Sequence, residues 1–127
     1  MPEKYQLTPV EHELMEILWS LGQGTVRAVL NHLPKNRDLA YTSVSTILRI
    51  LQQKKILAIE KVGRQHIYRP LLTKQAFANH SIKTIVKQIF SGKPLNLVAH
   101  LVDQQALSLE EIKAIQDLLE MKKRETS

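Results

Sequence analysis

The chain has 127 residues, 43% hydrophobic and 24% charged, with no cysteine and a net charge of +6. That length and balance suit one globular domain, or a small domain carrying an oligomerisation segment, and not a disordered chain. Without thiols, disulfides, iron–sulfur clusters and thiolate zinc sites are excluded. No apolar run approaches the roughly 20 residues of a membrane helix, and the N-terminal stretch lacks a signal peptide's apolar centre. The expectation is a cytoplasmic protein with no membrane partner.

The first element in the chain has a strong helix start. Thr8-Pro9-Val10-Glu11 offers an N-cap threonine, a proline at the first helical position and a capping-box glutamate. Val10, Leu14, Ile17, Leu18 and Leu21 recur at helical spacing, Trp19 flanks them, and Gly22 and Gly24 end the helix. Thr25 caps a second, short helix with Val26, Val29, Leu30 and Leu33 inward, closed by Pro34; a polar loop, "KNRDLA", follows.

The third helix, "YTSVSTILRILQQKK", buries Val44, Ile47, Leu48 and Leu51. Its other side carries Thr42, Ser45, Thr46, Arg49 and Gln53, with Ser43 at the flank. Propensity alone would favour Ala, Glu or Lys there. Capping accounts for Thr42 as the helix N-cap, but not for Ser45, Thr46 and Arg49 together. Beyond Lys55 the spacing becomes strand-like: "ILAIEKV", Gly63-Arg64, "QHIYRP". This reads as a β-hairpin in which Ile59, Ile67 and Tyr68 pack while Lys61, Arg64 and His66 cluster near the tip.

Helix, helix, helix, hairpin is the order of a winged helix-turn-helix. Its third helix can enter the major groove of double-stranded DNA while the hairpin reaches the neighbouring backbone. Short hydroxyls allow close approach, and arginine and glutamine can bond guanine and adenine edges bidentately. Lys61 and Arg64 suit phosphate contacts, which set register more than sequence; His66 is indifferent between contact and solvation. The local charge agrees: from Thr42 to Pro70, Arg49, Lys54, Lys55, Lys61, Arg64 and Arg69 face Glu60 alone.

From Thr73 onward the texture is purely helical. Ala78, Ile82, Ile85, Val86 and Ile89 form one stripe, ended by Gly92 and Pro94, and Leu97, Val98, Leu101 and Val102 a second. Ser108-Leu109-Glu110-Glu111 is another capping box. It opens a last helix with Ile112, Ile115, Leu118 and Leu119 on one face and Lys122, Lys123 and Arg124 at its negative end. So few residues close a poor core alone. The first domain could cover these stripes, or a two-fold partner could; repeated amphipathic helices behind a DNA-binding head favour the dimer. The expected architecture is mainly α with a small β-hairpin: a winged helix-turn-helix domain over residues 1–72 and a helical dimerisation domain over 73–127.

Nothing here supports catalysis or a cofactor. The five histidines fall on different elements, and only His12 with Glu16 has a metal-like spacing, which on a helix is usually a surface contact. Nucleophile elbow, Walker A and dinucleotide fingerprints are absent.

"LTPVEHELMEILWSLGQGTVRAV", "AYTSVSTILRILQQKKIL", "VGRQHIYRPLL" and the C-terminal "IFSGKPLNLVAHLVDQQALSLEEIKAIQDLLE" resemble the BlaI/MecI/CopY family of bacterial repressors, the penicillinase repressors. The resemblance spans nearly the whole chain. It implies a homodimer that binds an inverted-repeat operator and blocks transcription until induced. Thr42, Ser43, Thr46 and Arg49 fall where that family's recognition helix meets the groove, and Lys61 and Arg64 fall on the wing.

Three departures stand out. Where the family usually has Lys-Gly after its third helix, this chain has Lys54-Lys55-Ile56, which should alter the handover to the strand. Copper-responsive relatives carry tail cysteines, and this chain has none. β-Lactam-responsive relatives are cut at an Asn–Phe bond, and the matching pair here is His100-Leu101. A membrane sensor protease acting indirectly is therefore a candidate partner, and the inducing signal stays open. A reading from another class is a winged-helix protein-interaction module whose basic face binds an acidic partner protein.

Overall fold

The computed structural model describes residues 6–104 and 107–126. Along the chain come α1 (Pro9–Leu21), α2 (Val26–Asn31), α3 (Tyr41–Gln53), β1 (Leu57–Val62), β2 (Gln65–Pro70), α4 (Lys74–Ile89), α5 (Pro94–Gln104) and α6 (Leu109–Thr126). The order is that of a winged helix-turn-helix followed by helices alone. Two compact units divide at Ile82/Lys83, inside α4, rather than at the change of texture near residue 72. The first turns of α4 go with the winged helix because Ala76 and Phe77 pack against its core. Phe77 lies 5.7 Å from the Trp19 ring, and Trp19 Nε1 donates to the Leu72 carbonyl at 2.8 Å.

In the first unit α1 starts as its sequence dictates. Glu11 N–H donates to Thr8 Oγ1 at 3.1 Å, and Thr8 N–H donates to Glu11 Oε1 at 2.9 Å. The buried face is centred on Glu11, Leu14, Met15 and Leu18. Met15 therefore takes the place expected of Leu21, which is 36% exposed at the last turn. With these pack Val26, Val29 and Leu33 of the α2 region, Val44, Leu48 and Leu51 of α3, then Ile56, Leu57, Tyr68 and Leu72. Each such side chain contributes roughly 1.5–3 kcal/mol on burial. Ile47 is only partly buried at the edge of this cluster.

The handover from α3 to β1 keeps the geometry of a glycine cap without the glycine. Lys55 has φ +66°. Its N–H donates to the Gln52 carbonyl at 3.0 Å, and Ile56 N–H donates to the Leu51 carbonyl at 3.0 Å. That is a Schellman motif, with Ile56 and Leu51 both buried as its apolar clasp. The expected change in handover is thus a lysine held in the left-handed region, not a new path. Lys55→Gly should stabilise the first unit by roughly 0.5–1 kcal/mol, read as a raised urea midpoint at unchanged slope.

β1 and β2 pair antiparallel, Leu57 against Pro70 through Val62 against Gln65, around a two-residue turn. Gly63 supplies the positive φ (+62°) that such a turn needs. Gly24 extends the ladder: its N–H donates to the Tyr68 carbonyl at 3.0 Å, and Tyr68 N–H donates back at 2.8 Å. These bonds tie β2 to the turn before α2.

In the second unit Ser108 caps α6 as expected, with Glu111 N–H to Ser108 Oγ and Ser108 N–H to Glu111 Oε1, both 3.1 Å. Its apolar stripes are mostly uncovered. Val86 is buried, Leu97 and Ile115 are half-buried, and Ile85, Ile89, Val98, Leu101, Ile112, Leu118 and Leu119 are exposed, as is Ile82 at the end of the first unit. No described residue of α5 or α6 is buried.

Candidate nucleic-acid interface

The side chains on the outer side of α3 are free of structural duties. Thr42, Ser43, Thr46, Arg49 and Gln53 are exposed. Thr42 is not the N-cap: the helix begins at Tyr41, Ala40 is the cap residue, and no side chain caps it. Capping therefore does not account for the Thr42 hydroxyl. Thr42, Ser43 and Thr46 line a surface groove with Ile47. Ser45 is half-buried and turns instead toward the hairpin, where it shares a cavity with Tyr68.

The charge of Arg49 is felt at the hairpin. Burial raises the Tyr68 phenol above its usual pKa, the Arg49 charge opposes that rise, and Tyr41 adds to it. On the wing, Lys61 and His66 are cross-strand partners and Arg64 occupies the turn beside Gly63, all three exposed. Tyr68 packs as expected and Ile67 is half-buried, but Ile59 is 41% exposed. Ile59 is the cross-strand partner of Tyr68, but β2 is flanked by Gly24 on its other edge, so β1 is the outer strand and Ile59 stands at the open edge.

Lys54 leaves the basic surface. Its Nζ donates to Glu11 Oε2 at 3.0 Å and Oε1 at 3.2 Å, holding the end of α3 to the start of α1. Arg49, Lys55, Lys61, Arg64 and Arg69 have no ion pair among the described residues. His12 Nε2 lies 3.1 Å from Glu16 Oε1, the His12 ring lies 5.5 Å from Phe77, and Lys74 Nζ donates to Glu16 Oε2 at 2.9 Å. That cluster braces α4 against α1.

Arg27 and Tyr41 escaped the sequence reading. The Arg27 guanidinium lies 4.9 Å from the centre of the Tyr41 ring, and both residues are exposed. The available signal was an arginine two residues after the Thr25 cap, on the side of α2 away from Val26 and Val29. In the second unit, His100 and Leu101 lie inside α5, and the His100 ring is 5.6 Å from Phe90.

A family model described as penicillinase repressor matches residues 7–121. The chain belongs to the penicillinase repressor family. It is 30% identical over 106 residues to the transcriptional regulator BlaI of Mycobacterium tuberculosis, covering 82% of this chain and 77% of that protein. To the penicillinase repressor of Bacillus licheniformis it is 24% identical, over 91% and 90% of the two chains. The solution structure of the DNA-binding domain of the repressor BlaI superposes with a TM-score of 0.52 at 25% identity, over 60% of this chain and 93% of that one. As a member of this repressor family the protein has a winged-helix head, and no helix of its described residues is long and apolar enough to cross a membrane.

Proposed function

We propose that the protein is a homodimeric repressor that binds an inverted-repeat operator, each α3 reading one half-site and each wing holding adjacent phosphate. The observation carrying this reading is the outer side of α3. Its hydroxyls, Arg49 and Gln53 are exposed and serve neither capping nor the core. The exposed apolar side chains of α4, α5 and α6 support a second copy as their cover, joining winged-helix and tail units two-fold (residues 1–72 and 73–127 in the sequence reading). Half-site centres then lie one or two helical turns apart. Repression is steric, and an unidentified signal releases it. If that signal is proteolytic, cutting His100–Leu101 first requires α5 to open.

In this reading Thr42, Ser43 and Thr46 give close approach, Ser45 stands toward the wing, Gln53 reaches the groove edge, and Arg49 discriminates. Lys61, Arg64 and His66 hold the backbone. Arg49→Ala should cost about 1–3 kcal/mol of preference at one base pair. Selection from a randomised duplex pool checks it: the variant's recovered site should relax at one position per half-site, with dimerisation unchanged. An identical recovered motif would remove Arg49 from the assignment. A basic face that served an acidic protein partner would instead give no sequence-specific shift with promoter fragments at moderate salt.

A further inference from the structure

Between α2, the start of α3 and β2 lies a cavity of about 170 Å³ whose walls hold Arg27, Tyr41, Ser45, Arg64 and His66. Its charge is one-sided. Two guanidiniums and an imidazole reach it from two separate elements, no carboxylate lines it, and neither arginine has an ion pair among the described residues. Cations are seldom gathered without counter-charge unless an anion completes the set, because their mutual repulsion opposes it.

The walls are also fixed. The Gly24–Tyr68 bonds at 2.8 and 3.0 Å hold β2 to the turn before α2. Thr25 Oγ1 accepts from Ala28 N–H at 3.1 Å, which sets the first turn bearing Arg27. The Tyr41 ring, 4.9 Å from the Arg27 guanidinium, restrains a side chain that would otherwise sweep through solvent. Arg64 sits in the tight turn after Gly63 and lines the same cavity.

From this geometry we infer that the cavity is a seat for one phosphate group. Arg27 and Arg64 are its charged donors, Ser45 and His66 line the seat beside them, and Tyr41 is a positioning residue acting through Arg27. A planar guanidinium fork suits phosphate oxygens, and the shared chemistry has two sources, a duplex backbone or a free phosphate. The inference deepens the DNA-binding reading and rests on it for the favoured source, the backbone. It adds Arg27 and Tyr41 to the contact surface, at a point beside the face that reads bases.

The test uses the full chain with two probes, a mixed-sequence 25-bp duplex and inorganic phosphate, followed by amide and arginine side-chain NMR and by affinity against salt. With the duplex, resonances of Arg27, Gln65 and Tyr68 should shift. Arg27→Gln should weaken binding about 5- to 10-fold at 0.1 M salt and reduce the log–log salt slope by about 0.9. Tyr41→Leu should reproduce part of that loss and Tyr41→Phe restore it, a pattern that lost packing alone would not give, since the slope reports phosphates and not stability. The sequence recovered from a randomised pool should be unchanged in Arg27→Gln, unlike Arg49→Ala. Shifts at these residues with millimolar inorganic phosphate, together with competition against the duplex, would assign the seat to a soluble phosphate. Unmoved cavity resonances with both probes, or an unchanged slope in Arg27→Gln, overturn the seat even where the unaltered chain binds DNA. Failure of the unaltered chain to bind any duplex in a salt-dependent way would instead count against the DNA-binding reading.

Discussion

Leu118→Asp should halve the mass measured by light scattering and weaken binding to a duplex with two half-sites by about 10²–10⁴-fold. Leu118 is 65% exposed in the single chain, so a carboxylate there costs that chain almost nothing. Against a second copy the same carboxylate would be taken out of water beside apolar side chains, at a cost of several kcal/mol. At its upper end the loss on DNA exceeds the roughly 1–3 kcal/mol of a single base contact. Linking two heads makes the second half-site binding intramolecular, with an effective concentration near millimolar, and that advantage vanishes in a monomer. Binding to a single half-site should stay near the unaltered level, and helicity by circular dichroism should be retained. A Leu118→Asp protein that keeps its mass would remove α6 from the proposed interface.

The second large effect concerns stability. Lys54→Ala should lower the thermal midpoint of the first unit by roughly 10 °C or more, which corresponds to about 2–3 kcal/mol for a domain of this size. The Glu11 side chain is only 7% exposed and Lys54 27%, so removing the ammonium leaves a buried carboxylate with a single remaining bond, from Thr8 N–H. Removing one partner of a buried pair typically costs about 3–5 kcal/mol, reduced here because water still reaches the lysine end. The double variant Glu11→Gln/Lys54→Ala should recover much of the loss, since neither group is then left charged and alone. Calorimetry of the four proteins gives the coupling directly; additive losses would mean that the two residues act independently.

Lys54 also marks the limit of what the sequence could reveal. A lysine in a run of cations reads as part of a basic surface, and its pairing with a residue at the other end of the domain is a tertiary fact. Glu11 was legible as a capping-box residue because Thr8 stands three positions away; its second bond, to Lys54, was not. Ser108 and Glu111 were legible for the same local reason. Thr42 misled because hydroxyls favour N-caps, and here the helix reaches one residue further back to Tyr41, with Ala40 as an uncapped start. Losing the family's glycine at Lys55 was expected to alter the handover, but Lys55 itself adopts the left-handed conformation, because buried Ile56 and Leu51 hold the motif closed.

The outward set on α3 was readable from 3.6-residue periodicity, except that Ser45 turns toward the wing. Arg27 and Tyr41 belong to different helices, and only the fold brings guanidinium and ring together. The tail behaves differently. Its stripes predicted the helices, yet periodicity records an apolar face without recording what covers it. Ile89, Val98, Leu101 and Leu118 are exposed in the single chain, a fact that the pattern of the stripes does not contain.

The most direct test of the central claim, that paired α3 helices read a symmetric DNA site, is hydroxyl-radical footprinting on the promoter of the protein's own gene. The expected result is two protected patches related by a dyad, with centres one or two helical turns apart, that persist under excess mixed-sequence competitor. A single patch without a dyad, or protection erased by the competitor, would contradict it.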